Sequence, residues 1–343
     1  MNKNAFLRIL IAMMTVPALV LCGHAQKSVE KKPSLFDDPM VRYPKEMYIA
    51  AVSSGDTPEA AKDRAISEVA MVIQADINLQ QQLIEQYLET GVNVDMERKT
   101  EFNRQIEITT QQNLKNVNIG KTWLSDQDGR YYAVAYLDRD ETSEIYQNEL
   151  AGLDNEIKVY YDKTLASTEK LTRLAYINKA IELAVQRDVM INQLNTISLG
   201  EESFTPQVKP SELSDARRQI TKDIKVKLNL NYGDWSELPG AVSEVLQSYG
   251  FNLADTNPDV LVTGNLRMEQ LERKGYFIRW FVDLHFKDLS TDTEFITYTE
   301  DDREGSTSFS EAERRGAMRM AGEVKKNLYQ RLDNYFKSLM VSK

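Results

Sequence analysis

Apolar residues recur along this chain in three rhythms, and each predicts a different kind of element. The first is a continuous run from Ile9 to Leu21. The second is alternation with polar residues. It marks short strands at Met47 to Val52, Val117 to Leu124 and Tyr131 to Leu137, the last two joined by a hairpin turn at Asp126-Gln127-Asp128-Gly129. It returns at Ile224, Val226, Leu228 and Leu230, at Val260, Val262, Leu266 and Met268, along Tyr276 to Lys287, and at Phe295 to Thr299. The third is helical spacing. Thr57 caps and Pro58 opens a helix whose apolar positions are Ala61, Ala65, Val69 and Val72. Residues 141–198 hold no proline and carry two stripes, Leu153, Ile157, Tyr161 and Leu165, then Leu171, Leu174, Ile177, Ile181 and Ala184. Ala166-Ser167-Thr168 lies between them, so the segment is a helical hairpin or one long bent helix. A helix over Glu237 to Ser248 stops at Gly250, and a closing helix capped at Ser310 is striped by Ala317, Met320, Val324, Leu328, Leu332, Tyr335 and Leu339. Residues 74–112 are ambiguous. Ile106 and Ile108 alternate as in a strand, and Glu89 to Thr100 is polar enough for a loop.

These elements predict an α+β fold with two α+β domains joined by a helical segment. The expected divisions are a signal peptide at 1–25, a flexible leader at 26–45, a strand-helix-strands domain at 46–140, the helical segment at 141–198, a linker at 199–210, and a strand-helix-meander-helix unit of two layers at 211–343.

The first apolar run has the anatomy of a bacterial export signal. Lys3 and Arg8 precede it, and the small residues Gly23 and Ala25 close it. It is shorter than the ~20 residues that span a bilayer as a helix. Cleavage after Ala25 gives a periplasmic chain that starts at Gln26. The alternative is an outer-membrane lipoprotein anchored at Cys22, but the bulky Leu21 stands where a lipobox carries a small residue. Membrane attachment is expected only by that second route.

The first domain resembles a known family. Tyr43-Pro44, the strand Tyr48-Ile49-Ala50-Ala51-Val52, Gly55, and a helix with Glu59-Ala60 and Arg64-Ala65 form the first half of the pattern. Trp123, Asp128-Gly129 and Tyr131-Tyr132-Ala133-Val134-Ala135-Tyr136-Leu137-Asp138-Arg139 form the second. Residues 42–140 are similar to the bacterial lipoprotein-20 (LPP-20) domain, also found in the N-terminal part of the flagellar assembly protein T. The chain departs from the pattern at the lipobox and in the polar insert near Glu89 to Thr100. The resemblance implies an accessory or assembly factor of the cell envelope and brings no catalytic residues with it. The last domain is similar in outline to small α+β modules of periplasmic assembly lipoproteins. A fainter echo, Gly55 with Thr57, Glu59-Ala60 and Arg64-Ala65 against Gly305 with Ser310, Glu311-Ala312, Arg315 and Ala317, reflects shared helix-start chemistry as well as it would a duplication.

Composition narrows the chemistry. The 343 residues are 42% apolar, enough for real cores, and carry a net charge of −10, or −12 once Lys3 and Arg8 are removed. An acidic surface repels phosphate backbones, so no nucleic-acid partner is expected. Cleavage after Ala25 removes the only cysteine and leaves one histidine, His285, so a His/Cys zinc site cannot be assembled and no metal or cofactor is expected. A serine triad would have to use His285, which lies on the polar face of its strand beside Arg279 and Asp283. Ser167-Thr168-Glu169-Lys170 matches S-x-x-K without its companion motifs, and a helix cap accounts for it. Glu300-Asp301-Asp302-Arg303-Glu304 lacks the spacing of a calcium loop and reads as a solvated acidic loop.

What remains is surface contact. Tyr131 and Tyr132 point to opposite faces of one strand, Phe281 lies on the polar face of its strand, and Trp235 sits in a turn beside Gly233-Asp234. Exposed aromatics anchor protein contacts, and a neighbouring domain that covers them is the competing explanation. The expectation is a non-enzymatic accessory protein that binds an envelope protein partner. The alternative is a protein that binds or modifies the cell wall, peptidoglycan included, through carboxylates and aromatics.

Overall fold

The computed structural model describes residues 32–74, 82–83, 86–87, 103–104, 106 and 115–341. The export signal, Cys22, the polar stretch Glu89 to Thr100 and Ile108 lie outside them. The fold is α+β, as expected, and the described residues form one three-stranded and one five-stranded sheet.

The smaller sheet has the order β1 (Tyr48–Gly55), β3 (Tyr131–Asp138), β2 (Asn118–Leu124), all antiparallel. Helix α1 (Pro58–Ile73) crosses one face. Thr57 Oγ1 accepts from the Ala60 N–H at 3.1 Å and Pro58 opens the first turn, so sequence and cap agree. Small residues on both sides let helix and sheet approach closely. Ala61 and Ala65 meet Ala133 and Ala135, with Val69, Ile73, Ile49 and Leu137 completing the core. Gly55 permits the contact, since a Cβ there would lie 2.6 Å from the Ala61 nitrogen. The apolar stripe ends on Ile73; Val72 is exposed.

The opposite face of this sheet carries the first correction. Residues 32–45 were expected to be a flexible leader, yet they form two short 3-10 turns, Ser34–Phe36 and Pro39–Val41, laid on the sheet. Phe36 stacks on Trp123 with centroids 5.8 Å apart, and Tyr43 stacks on Tyr136 at 4.4 Å. Leu35, Phe36 and Tyr43 are buried. Averaged polarity hides this, because three well-placed apolar side chains suffice where the sheet offers a matching aromatic face. The second correction concerns Ile106. It is helical and fully buried, with Leu83 and Tyr87, in the larger core rather than in a strand.

Residues 139–197 form two packed helices, α2 (Arg139–Ala166) and α3 (Lys170–Ile197), which turn at Ser167–Glu169. Asp138 caps α2 by accepting from the Glu141 N–H at 3.1 Å. The inward stripe of α2 ends on Thr164, not on Leu165, which is 60% exposed. Leu171 to Val189 of α3 join the core under the larger sheet, while Met190, Leu194 and Ile197 join the core under the smaller one. After residues 201–209, α4 (Pro210–Asp223) is an addition to the expected elements. Pro210 opens it, and the Glu212 carboxylate accepts from the Lys209 N–H at 2.7 Å. Only Leu213 and Ile220 give it a buried apolar pair, too sparse a stripe to stand out in the sequence.

The larger sheet has the order β5 (Asn252–Leu253), β4 (Lys225–Asn231), β6 (Val260–Gln270), β7 (Tyr276–Asp288), β8 (Thr293–Ser306). β4 runs parallel to β5 and β6, and β6-β7-β8 is an antiparallel meander. One face packs on α5 (Glu237–Tyr249) and α6 (Phe309–Val341), with Trp280, Val282, Leu284, Phe286 and Tyr298 meeting Val242, Leu246, Met320, Val324, Leu328 and Phe336. Gly250 closes α5 at φ +100°, and its N–H bonds the Leu246 carbonyl. The cap of α6 is Ser308, whose Oγ accepts from the Glu311 N–H at 3.2 Å, rather than Ser310. Glu300 to Glu304 belong to β8 and not to a loop. Their charges do not break the strand because basic neighbours neutralise them. Asp301 pairs with Arg279 at 2.5 Å, and Arg319 of α6 pairs with Asp302 at 2.7 Å and Glu304 at 3.5 Å.

Candidate functional site

The other face of the five-stranded sheet is open. Its outward positions are Leu261, Thr263, Asn265, Arg267 and Glu269 on β6, Phe277 to Lys287 alternately on β7, and Thr297 to Arg303 alternately on β8, and none of them is buried. Two phenylalanines stand on this largely polar surface, held by guanidinium groups. Phe281 lies between Arg267 and Arg279, whose Cζ atoms are 4.5 and 4.7 Å from its ring centroid. Arg273, in the β6–β7 turn, covers the ring of Phe277 at 3.5 Å. Phe277 is seated against two glycines. A Cβ at Gly305 would stand 2.4 Å from its ring and one at Gly275 2.8 Å, and Gly275 also has φ +101°. Planar cations over aromatic faces contribute about 0.5–1 kcal/mol each at exposed sites.

Charge here opposes that of the whole chain. Arg267, Arg273, Lys274, Arg279 and Arg303 stand against Glu269, Glu272 and Asp301, in a protein of net charge −10. Arg267 pairs with Glu269 at 3.1 Å, and Arg279 Nε donates to Asp301 at 2.7 Å. Arg303 lies directly across from Arg279, an unfavourable cross-strand pair. Among the described residues, no carboxylate pairs with Arg273 or Arg303.

Farther along the same face, His285 bridges two carboxylates. Nδ1 is 2.9 Å from Glu294 and Nε2 is 3.0 Å from Asp283, with Thr263 and Thr297 across the strands and Lys287 next on β7. Hydrogen bonding to Glu294, then to Asp283, raises the imidazole pKa, and the bond to His285 lowers that of Glu294. The folded-state pKa thus lies above the unfolded value of about 6.5. The stability it contributes is fully present below about pH 6.5 and is lost as pH rises through the folded pKa. Chemical denaturation from pH 5 to 8 should show that decline in the wild type and a flatter profile in His285→Gln. An NMR titration that places the imidazole pKa below 6 would refute the bridge.

The deepest polar cluster is internal. Arg187 is fully buried. It donates through Nη1 to Asp154 at 2.9 Å and to the Val208 carbonyl at 3.0 Å, and through Nε to Asp188 at 3.0 Å. Tyr87 donates to Asp188 at 2.6 Å, and Asp154 also accepts from the Gln207 N–H. Burial pushes the Asp188 carboxyl upward against the pull of Arg187, and burial followed by the Asp188 charge pushes the Tyr87 phenol upward. Burial is the largest influence on the Arg187 pKa and would lower it, but the Asp188 charge, with the hydrogen bonds to Asp154 and Asp188 among its helpers, turns the net shift upward. Arg139 makes a second internal tie. Its Nε donates to the Lys45 carbonyl at 2.8 Å, and its Nη1 donates to the carbonyls of Thr196 at 3.0 Å and Ile197 at 2.6 Å.

The four aromatics singled out from the sequence do not converge. Tyr131 packs half-buried against the α1 core. Tyr132, on the opposite face, lies against Phe36 and Trp123, donates to Asp128 at 2.8 Å, and has Lys32 4.8 Å over its ring. Trp235 packs half-buried against the larger core. Only Phe281 belongs to the open face. Its companions Phe277, Arg267, Arg273, Arg279 and Arg303 were not picked out, although Phe277, Arg279 and Phe281 share the outward parity of β7. Among the described residues, no group of three or more His, Cys, Asp or Glu is placed to hold a metal ion, and no helix is long and apolar enough to cross a membrane.

No protein-family model matches the chain, and no curated protein matches it. Solved structures do. The secreted protein HP1454 from Helicobacter pylori is 13% identical, with 81% of this chain and 96% of that one covered and a TM-score of 0.41. A minor lipoprotein from Acinetobacter baumannii is 14% identical over 32% of this chain and 91% of its own, with a TM-score of 0.25. The rare lipoprotein B from Shewanella oneidensis is 19% identical over 34% and 95%, with a TM-score of 0.20. These neighbours are described as a secreted protein and as lipoproteins, and they set no activity for this chain.

Proposed function

We propose that this chain is an exported, non-enzymatic envelope protein that acts as an accessory or assembly factor, holding a protein partner against the open face of its five-stranded sheet. One observation carries the reading: Phe277 and Phe281 stand in guanidinium stacks on a sheet face that no described element covers. Rigid aromatics beside arginine are the residue types that dominate protein-protein contacts. The Arg139 tie supports it too, because its bonds to Lys45, Thr196 and Ile197 all go to backbone carbonyls inside the chain. The export signal and the resemblance to the lipoprotein-20 domain support an envelope location for that partner.

The test is in-cell photocrosslinking from position 281, with position 318 on exposed α6 as control. A discrete protein adduct from 281 and none from 318 is expected. Equal labelling from both positions, or sedimentation of the purified protein with peptidoglycan without any protein adduct, would reject the reading in favour of cell-wall binding.

A further inference from the structure

We infer that the partner presents carboxylates, and that a short acidic segment of it docks at Arg273, over Phe277, and at Arg303 on the neighbouring strand. The inference rests on the proposed partner-binding face and adds the chemistry that the face recognises.

The warrant is a repeated unit. At Phe281, each guanidinium lies over the ring and turns its N–H edge to a carboxylate: Arg279 to Asp301, and Arg267 to Glu269. Stacking uses the flat face of the group, which leaves its donors free in the ring plane. Four residues earlier on the same strand face, Phe277 and Arg273 repeat the stack at a shorter distance, 3.5 Å. Here no carboxylate of the described residues pairs with the guanidinium. Arg303 stands on β8 across from Arg279, one outward position from Gly305, the glycine that pairs with Phe277. Arg273 on its ring and Arg303 on the neighbouring strand, both exposed, thus offer guanidinium donors at this end of the face, and the acid they take comes from another chain.

Charge range favours a short acidic segment over an anionic membrane or polymer. Screening confines the local excess of cations to about 8 Å at physiological salt. A short peptide on the platform senses that local field. A large anionic surface also meets the field of the whole chain, whose net charge is −10.

The test uses the full mature chain and a fluorescein-labelled peptide of alternating glutamate and valine, followed by anisotropy. The glutamine counterpart, inorganic phosphate and phosphatidylglycerol vesicles are run in parallel. The glutamate peptide should bind at least about tenfold more tightly than the glutamine one, and R273Q/R303Q should weaken it about tenfold or more. Both side chains are exposed, and R273E/R303E, expected to abolish binding, serves as a second variant with an unchanged melting profile as its control. Equal binding of the two peptides, undiminished binding by both double variants, or uptake by vesicles instead of the glutamate peptide would overturn the inference. A protein adduct from position 281 that survives R273Q/R303Q rejects this chemistry alone. No adduct at all rejects the reading beneath it.

Discussion

Replacing Arg187 with methionine should cost about 3–5 kcal/mol of stability. The guanidinium is fully buried and holds Asp154 and Asp188, so its loss leaves two largely desolvated carboxylates without their cation. The Val208 carbonyl loses its donor as well. Breaking a buried pair costs far more than the pair contributes over an apolar equivalent, because the survivors are desolvated charges. R187M/D154N/D188N should therefore recover much of the loss. The two neutral carboxamide oxygens would still accept from the Gln207 N–H and the Tyr87 hydroxyl, the bonds that Asp154 and Asp188 make now. Urea denaturation decides the matter through a lower midpoint at unchanged slope. A loss under about 1 kcal/mol in R187M would mean that water reaches the cluster.

Arg139→Met is the second large effect, at about 3 kcal/mol. Its guanidinium gathers the carbonyls of Lys45, Thr196 and Ile197 from two separate stretches of chain. The last two end α3, where carbonyls without helical partners carry partial negative charge and a cation is favoured. Arg139→Lys keeps the charge but not the fork, so it should recover only part of the loss. Near-neutral behaviour of Arg139→Met in urea would show that water satisfies these carbonyls. The Arg139 of the family-like motif thus acts as a structural clasp, which spacing in the sequence could not show, because Thr196 is 57 residues away.

Where local pattern and tertiary packing agreed, the sequence was readable. Thr57-Pro58 marked α1, Gly250 ended α5, and the alternation of β7 placed Trp280 inward and Phe281 outward. The failures share a cause. The turns at 34–41, α4 and the outer half of β8 are polar stretches whose order comes from distant partners: the aromatic face for Phe36 and Tyr43, the larger core for Leu213 and Ile220, and Arg279 and Arg319 for the acids of β8. The candidate site was legible only through Phe281. Arg273 reaches Phe277 across a turn, and Arg303 comes to the strand position diagonal to Phe277 by register, so neither relation is written in local spacing.

Helix α3, some 42 Å long at 1.5 Å per residue over its 28 residues, lends one end to each core. Each sheet therefore depends on a different stretch of the same helix for part of its cover. A recombination that borrowed the small sheet without residues 190–197 would leave Ala133, Leu137 and Ile49 without part of the apolar surface that covers them. One that borrowed the large sheet without residues 171–189 would strip the other core in the same way.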